Sequence, residues 1–125
     1  MQTFLVLDDQ ESYRMMATVL LKDLGEVIEV ATVPEALAAL RKNKITGVLA
    51  DWNLHPDGRR EGPYSEPVVR EALGQDIPVM IISGTDDTTG RLAGLQKEFQ
   101  GKPLRLASKE DSFAESLTGW PSERR

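Results

Sequence analysis

The sequence predicts an α/β fold in which a five-stranded parallel sheet carries helices on both faces. The first observation is that five short apolar runs, rich in Val, Ile and Leu, alternate with segments of helical periodicity. The second is that this strand–helix alternation repeats five times, which implies right-handed crossovers and a doubly wound sheet. The predicted strands are residues 3–7, 27–31, 45–50, 78–82 and 104–107.

The apolar content of the runs predicts which strands lie inside the sheet. The first, third and fourth runs are nearly continuous, as strands are when both faces of a parallel sheet are covered. The second and fifth runs are interrupted by Glu29 and Arg105. We therefore expect these two strands near the edges.

Helical spacing predicts the first two connecting segments. Gly25 is placed to end the first helix. The second helix opens with Thr32 and Glu35, a capping-box pair, and tolerates Pro34 in its first turn. The residues predicted to face inward are Tyr13, Met16, Ala17, Leu20 and Leu24 in the first helix, and Val33, Ala36, Leu37 and Leu40 in the second.

Three further helices complete the predicted pattern. The third starts near Ser65 with Pro67 in its first turn, the fourth follows Asp86 and Asp87, and the fifth is short, from about residue 111 to 117. Their predicted inward residues are Val68, Val69, Ala72 and Leu73, then Leu92, Leu95 and Phe99, and finally Phe113 and Leu117.

Length and composition narrow the function classes. The 125 residues fit one domain, predicted at 1–118, followed by a polar tail at 119–125 that is expected to fray. The absence of Cys excludes disulfides, thiolate metal sites and a Cys nucleophile, and the single His55 excludes a multi-histidine metal site. A net charge of −5 without a basic stripe argues against nucleic-acid binding. With no apolar run near the roughly 20 residues of a membrane span and no secretory leader, we expect a cytoplasmic protein.

Polar residues follow four of the predicted strands. Asp8 and Asp9 end the first strand and Asp51 ends the third. Ser83 and Gly84 end the fourth, and Lys109 follows the fifth. Because ligands bind beyond the carboxyl ends of parallel strands, we expect these side chains to meet at one edge of the sheet.

This set of residues has a chemical logic. Clustered carboxylates repel each other unless a cation neutralises them, and oxygen ligands alone favour a hard ion such as Mg²⁺. A carboxylate beside that ion can attack phosphorus and form an aspartyl phosphate. A hydroxyl and an ammonium supply donors for the developing negative charge. The sequence therefore predicts a phosphoryl-accepting site.

Three segments resemble the response-regulator receiver domain, including its stand-alone chemotaxis type. They are residues 4–9, 48–54 and 78–84, and the resemblance extends over essentially the whole chain. It implies a flavodoxin-like (βα)5 fold. It also implies that Asp51 is the phosphoacceptor, and that Mg²⁺ is bound by Asp8, Asp9, Asp51 and the backbone carbonyl of Asn53. By the same resemblance Ser83 and Lys109 bind the phosphoryl group, and Gly84 leaves room for the phosphodonor.

The sequence departs from the family pattern in three places. The family's lysine precedes a proline, whereas Lys109 precedes Glu110; the Lys102–Pro103 pair makes Lys102 the alternative site lysine. Lys109 is preferred because the apolar strand at 104–106 leads to it. Leu106 occupies the place of the family's aromatic switch residue, and the loop at 55–62 is longer and more charged than the family's short turn.

Several functions follow from this resemblance. The first is a two-component receiver that takes its phosphoryl group from a histidine kinase or phosphotransfer protein and signals by protein contact, as a monomer or weak homodimer. The alternative is a degenerate receiver, a binding module independent of phosphate. An enzyme is not expected, because a haloacid-dehalogenase-like phosphatase needs a second Asp two residues after the first, where this sequence has Gln10 after Asp8 and Asp9.

Overall fold

The structure, a computed structural model, describes residues 2–54, 63–83, 90–108 and Trp120. Strands and helices alternate along the chain as predicted. The strands are β1 (Gln2–Leu7), β2 (Gly25–Val30), β3 (Gly47–Asp51), β4 (Val79–Ser83) and β5 (Leu104–Ser108). The helices are α1 (Glu11–Leu21), α2 (Val33–Lys42), α3 (Glu66–Gly74) and α4 (Arg91–Glu98).

All strand pairs are parallel, and the sheet has the order β2-β1-β3-β4-β5. This confirms the predicted fold class and the edge positions of the second and fifth strands. From β1 the chain first moves outward to β2 and then crosses back to β3 on the other side of β1. The reversal creates a crevice at the carboxyl ends of β1 and β3, where open parallel sheets bind their ligands.

Alternate residues of each strand belong to two hydrophobic cores, one on each face of the sheet. In β1, Leu5 and Leu7 pack on one side, and Phe4 and Val6 on the other. The first core also holds residues of α2, α3 and α4, among them Leu40, Leu73 and Leu95. The second is formed by Phe4, Val6, Ala17, Leu21, Leu49, Met80, Ile82 and Trp120.

The start of α2 confirms the predicted capping box. The side-chain hydroxyl of Thr32 accepts a hydrogen bond from the backbone N–H of Glu35 at 3.4 Å. The carboxylate of Glu35 reaches back to the backbone N–H of Ala31 at 3.3 Å. The first contact satisfies a donor that the first turn of a helix leaves without an intrahelical partner, and the second binds the Glu35 carboxylate to the residue before the N-cap.

Two predictions about α1 were wrong. Met16 and Leu24, predicted to face inward, are 41% and 46% exposed, and the buried positions are Ala17 and Leu21. Gly25 does not end the helix but begins β2, opposite Gln2 of β1. A Cβ at Gly25 would lie 2.2 Å from the Gln2 carbonyl oxygen, so this close approach of two strands requires glycine.

The C-terminal part of the chain is described only at Trp120. The predicted fifth helix at 111–117, with Phe113 and Leu117, lies outside the described residues, as do Asp86 and Asp87 before α4. Trp120 belongs to the segment predicted as a fraying tail, yet its side chain is buried against Phe4. The burial of Trp120 argues against fraying at this residue, and the tail and the domain boundary at residue 118 stay predictions.

Among the described helices, none is both long and apolar enough to cross a membrane.

Replacing Gly94 with Ala is expected to raise the free energy of unfolding by about 0.5–1 kcal/mol. Gly94 is exposed inside α4, and an added Cβ would meet nothing within 4 Å. Gly90→Ala is the matched control, because Gly90 precedes the same helix at φ +76°, where a side chain is strained. Urea unfolding followed by circular dichroism should move the two midpoints in opposite directions. Equal shifts would contradict the prediction.

Candidate functional site

Three carboxylates meet at the crevice between β1 and β3. Asp8 and Asp9 follow the last residue of β1, and Asp51 is the last residue of β3. Each residue offers a carboxylate oxygen, and these oxygens all lie within 4.8 Å of one another. Asp8 and Asp51 are buried, which strengthens their mutual repulsion because water screens them less.

Hydrogen bonds hold the turn that carries Asp8 and Asp9. The backbone N–H of Asp8 donates to the carbonyl of Val30 at 3.2 Å, which continues the β1–β2 pairing by one residue. The Asp8 carboxylate accepts from the backbone N–H of Gln10 at 2.9 Å, just before α1 begins. The Arg14 guanidinium donates to the Asp8 carbonyl at 2.7 Å and lies 3.7 Å from the Glu29 carboxylate. Arg14 thus ties α1, β2 and the acidic turn together.

The Asp9 side chain shows that this cluster suits a cation. Its Oδ2 atom is buried and finds no hydrogen-bond partner among the described residues. Two unit charges at 4.8 Å repel by about 3 kcal/mol at an effective dielectric constant near 20. Oxygen ligands of this kind select hard divalent ions such as Mg²⁺. The three carboxylates therefore fit a magnesium ion.

The residues after Asp51 are held on two sides, by β4 and by an antiparallel contact with the segment before α3. The Trp52 N–H donates to the Ile82 carbonyl at 3.0 Å, and the Trp52 carbonyl accepts from the Ser65 N–H at 3.0 Å. Asn53 forms a bridge with Tyr64. Asn53 therefore lies close to the end of β3, two residues after Asp51. The loop at residues 55–62, which includes His55, lies outside the described part of the chain.

Several solved structures of similar fold are response regulators or their receiver domains. A response regulator receiver protein from Sinorhizobium medicae matches with a TM-score of 0.71 and 21% identity, over 94% of this chain and 89% of that one. The PhyR response regulator receiver domain from Erythrobacter litoralis matches with a TM-score of 0.66 and 27% identity, over 99% and 95%. The response regulator TrrA from Thermotoga maritima, solved in complex with Mg²⁺ and BeF, matches with a TM-score of 0.69 and 16% identity, over 94% of each chain.

The chain has the receiver-domain fold. No family model matches the sequence, and no curated protein matches it. The identities to these receiver domains are low, from 16% to 27%, so the likeness lies in the fold and not in the sequence as a whole.

The receiver fold places Ser83 at the same end of the sheet as the carboxylates, where the strands have their carboxyl ends. Ser83 ends β4, the strand next to β3, and Asp51 pairs with the preceding residue, Ile82. Ser83 in turn pairs with Ser108, the last residue of β5. Gly84 and Lys109, predicted to complete the site, lie outside the described residues.

Lys102, the alternative site lysine, is placed elsewhere by the receiver fold. It precedes β5, so it lies at the amino end of that strand, opposite to the edge that carries Asp51. Its ammonium group contacts the Asp76 carboxylate at 2.9 Å. This placement argues against the alternative, because a lysine before a parallel strand and one after it lie at opposite ends of that strand.

Sequence reasoning missed Arg14. Its side chain is mostly buried, at 17% exposure, and contacts the backbone of the acidic turn. The only signal for it was a lone cation, one turn into α1, among apolar residues. That signal is weak because arginines also line the exposed faces of most helices.

Replacing Asp9 with Asn is expected to stabilise the metal-free protein and to remove its stabilisation by Mg²⁺. The substitution relieves carboxylate repulsion, worth roughly 1–3 kcal/mol, but also removes a metal ligand. Urea unfolding in EDTA and in Mg²⁺ measures both effects. Asp23→Asn is the matched control, because Asp23 is exposed beyond the end of α1. An Asp9→Asn protein that keeps the wild-type response to Mg²⁺ would contradict this assignment.

Proposed function

We propose that the chain is a phosphoacceptor receiver of a two-component signalling system, with Asp51 as the acceptor. The observation that carries the proposal is the cluster of Asp8, Asp9 and Asp51, with a buried and unpartnered carboxylate oxygen on Asp9. The receiver fold and the TrrA complex with Mg²⁺ and BeF support it. Structural burial alone gives no reason to gather three like charges, so their presence favours a function for them.

In the proposed reaction a carboxylate oxygen of Asp51 forms a bond to phosphorus, and the bond between phosphorus and the donor's leaving atom breaks. The electron pair of that bond stays with the donor, and Asp51 becomes an acyl phosphate. The donor is a phosphohistidine of a histidine kinase or of a phosphotransfer protein. No bond is made or broken elsewhere in the chain, so the domain acts as a switch and not as an enzyme with turnover on a separate substrate.

The remaining site residues have supporting roles in this proposal. Asp8, Asp9 and Asp51, with the backbone carbonyl of Asn53, hold Mg²⁺. When bound, the ion neutralises the carboxylates and draws charge from the phosphoryl oxygens. The Ser83 hydroxyl and the Lys109 ammonium donate to the phosphoryl oxygens, and Gly84 leaves space for the donor. Arg14 keeps the acidic turn in place.

The signal leaves the domain by contact with a downstream protein in the cytoplasm. Residues 1–118 form the receiver, which acts as a monomer or weak homodimer. The competing function, a phosphate-independent binding module, shares the fold but has no need of a metal at the carboxylates.

The deciding experiment is incubation with acetyl phosphate in Mg²⁺ or EDTA, followed by intact-mass spectrometry. The proposal requires addition of one phosphoryl group that depends on Mg²⁺ and is removed by hydroxylamine, which cleaves acyl phosphates. Titration with Mg²⁺ and beryllofluoride, read by the backbone amides of Asp51 and Ser83, tests the site without a phosphodonor. Failure of both tests would favour the phosphate-independent binding module.

A further inference from the structure

The residue after the proposed phosphoacceptor connects β4 with the start of α3. The Trp52 N–H is bonded to Ile82, the residue before Ser83, and its carbonyl is bonded to Ser65, the residue before α3. The Trp52 side chain is 4% exposed and belongs to the core on the α3 face of the sheet, and protein interiors are close-packed. Trp52 therefore provides a direct hydrogen-bonded connection between the ends of β3 and β4 and the residue before α3.

Two ring contacts lead from Trp52 to α4. The ring centroids of Trp52 and Tyr64 are 5.2 Å apart, with an angle of 37° between the planes. The guanidinium carbon of Arg91 lies 4.5 Å from the centroid of Tyr64, within the range of cation–π attraction. Arg91 is the first residue of α4. The beginning of α4 is thus attached to the strand end that carries Asp51.

Ion pairs attach α4 to α3 at both ends. Arg91 donates to the Glu66 carboxylate at 3.0 Å, and Glu66 also accepts from Arg70 at 2.9 Å. Arg70 reaches on to Glu98, the last residue of α4, at 2.8 Å, and its guanidinium lies 5.5 Å from the ring of Phe99. We call Tyr64, Glu66, Arg70, Arg91 and Glu98 the α3–α4 clamp.

The charges of the clamp are maintained at neutral pH. Hydrogen bonds from Arg70, with a further contribution from Arg91 at Glu66, hold the pKa values of the Glu66 and Glu98 carboxyls below their usual range. A carboxyl whose pKa is lowered by folding stabilises the folded state at any pH above its pKa in the unfolded chain. It loses that stabilisation as the pH falls through its pKa in the folded chain. The ion pairs are exposed, and such pairs add little to global stability. We therefore expect these ion pairs to affect the position of α4 more than the free energy of unfolding.

We propose that the α3–α4 clamp couples the position of α4 to the state of Asp51, and that it replaces the aromatic switch whose place is held by Leu106. This inference rests on the proposed function and extends it to the output of the switch. Arg91 is connected to the strand end that carries Asp51 through the Trp52–Tyr64 and Tyr64–Arg91 contacts. Leu106, in β5, packs as an aliphatic residue against the core on the α4 face of the sheet. The coupling route therefore runs through β3 and α3 and not through β5.

The test compares the wild-type chain with Tyr64→Leu and Arg91→Gln, each titrated with beryllofluoride in Mg²⁺. Amide chemical shifts at Ser83 report occupation of the site, and those at residues 92–98 report α4. We expect both sets to shift in the wild type. In each variant the Ser83 response should persist, with affinity changed by less than about threefold, while the α4 shifts fall by about half or more.

Arg41→Gln is the matched control, because it breaks an exposed ion pair between α2 and α3, with Glu71, that lies outside the clamp. It should leave both responses intact. Unchanged α4 shifts in Tyr64→Leu and Arg91→Gln, or a wild type in which Ser83 responds and α4 does not, would overturn the clamp and leave the proposed function standing. A wild type in which Ser83 also fails to respond would remove both proposals.

Discussion

Replacing Asp51 with Asn is expected to reduce phosphoryl incorporation from acetyl phosphate by roughly a thousandfold or more, as removal of a nucleophile does. The amide oxygen of Asn is a poor nucleophile and cannot form the acyl phosphate. The substitution hardly changes the volume of this buried position and removes one of three neighbouring charges. The variant should therefore fold at least as stably as the wild type in the absence of Mg²⁺. Intact-mass spectrometry and urea unfolding measure the two effects.

Asp76→Asn is the matched control for this prediction. Asp76 lies at the opposite edge of the sheet, where its carboxylate contacts Lys102, and its φ of 59° is one that Asn adopts readily. This variant should incorporate phosphoryl groups at the wild-type rate. Asp51→Asn protein that is labelled as fast as the wild type would show that the acceptor is another residue.

The fold could be predicted because the burial of a parallel sheet leaves a simple trace in the sequence. The three inner strands are buried along most of their length and contain nearly continuous apolar runs, whereas the two edge strands carry Glu29 and Arg105. The acidic site followed from the same reasoning. Once β1 and β3 are parallel neighbours, the residues that end them must meet, and the structure brings Asp8, Asp9 and Asp51 together.

The face of α1 could not be predicted in the same way. Met15, Met16 and Val19 are apolar but exposed, so apolar residues lie around much of the helix and periodicity does not distinguish the inner stripe from the outer one. Gly25 was misassigned for a related reason. Glycine serves both as a helix terminator and as a site of close backbone approach, and only the contact with Gln2 shows which applies here.

The α3–α4 clamp is invisible in the sequence for a different reason. Arg70 and Glu98 are 28 residues apart, and Arg91 and Glu66 are 25 apart, so no local spacing pairs them. Their contacts depend on where the two helices lie relative to each other in the fold. The sequence predicted both helices, but it does not show which of their charged residues face each other. That pairing is seen only in the folded structure.

Trp120 is the second residue at which substitution is expected to have a large effect. Its side chain is 5% exposed, and its ring lies 5.9 Å from that of Phe4 in the core on the α1 face. Trp120→Ala should lower the free energy of unfolding by about 3–5 kcal/mol, since it removes a large buried ring and leaves a cavity. That is a large share of the roughly 5–15 kcal/mol that stabilises a domain. Urea unfolding followed by circular dichroism measures the loss.

Trp120→Phe separates the packing of the ring from its polar atom. The indole Nε1 of Trp120 is buried without a hydrogen-bond partner in the described part of the chain, and such a group costs about 1–3 kcal/mol. Phe removes this cost while it loses some volume, so the two effects should cancel to within about 1 kcal/mol.

A chain that ends at residue 118 should unfold like Trp120→Ala, which would move the domain boundary beyond residue 120. If Trp120→Ala and the shortened chain both unfold at the wild-type urea concentration, the boundary at 118 stands and the ring contributes nothing to the fold.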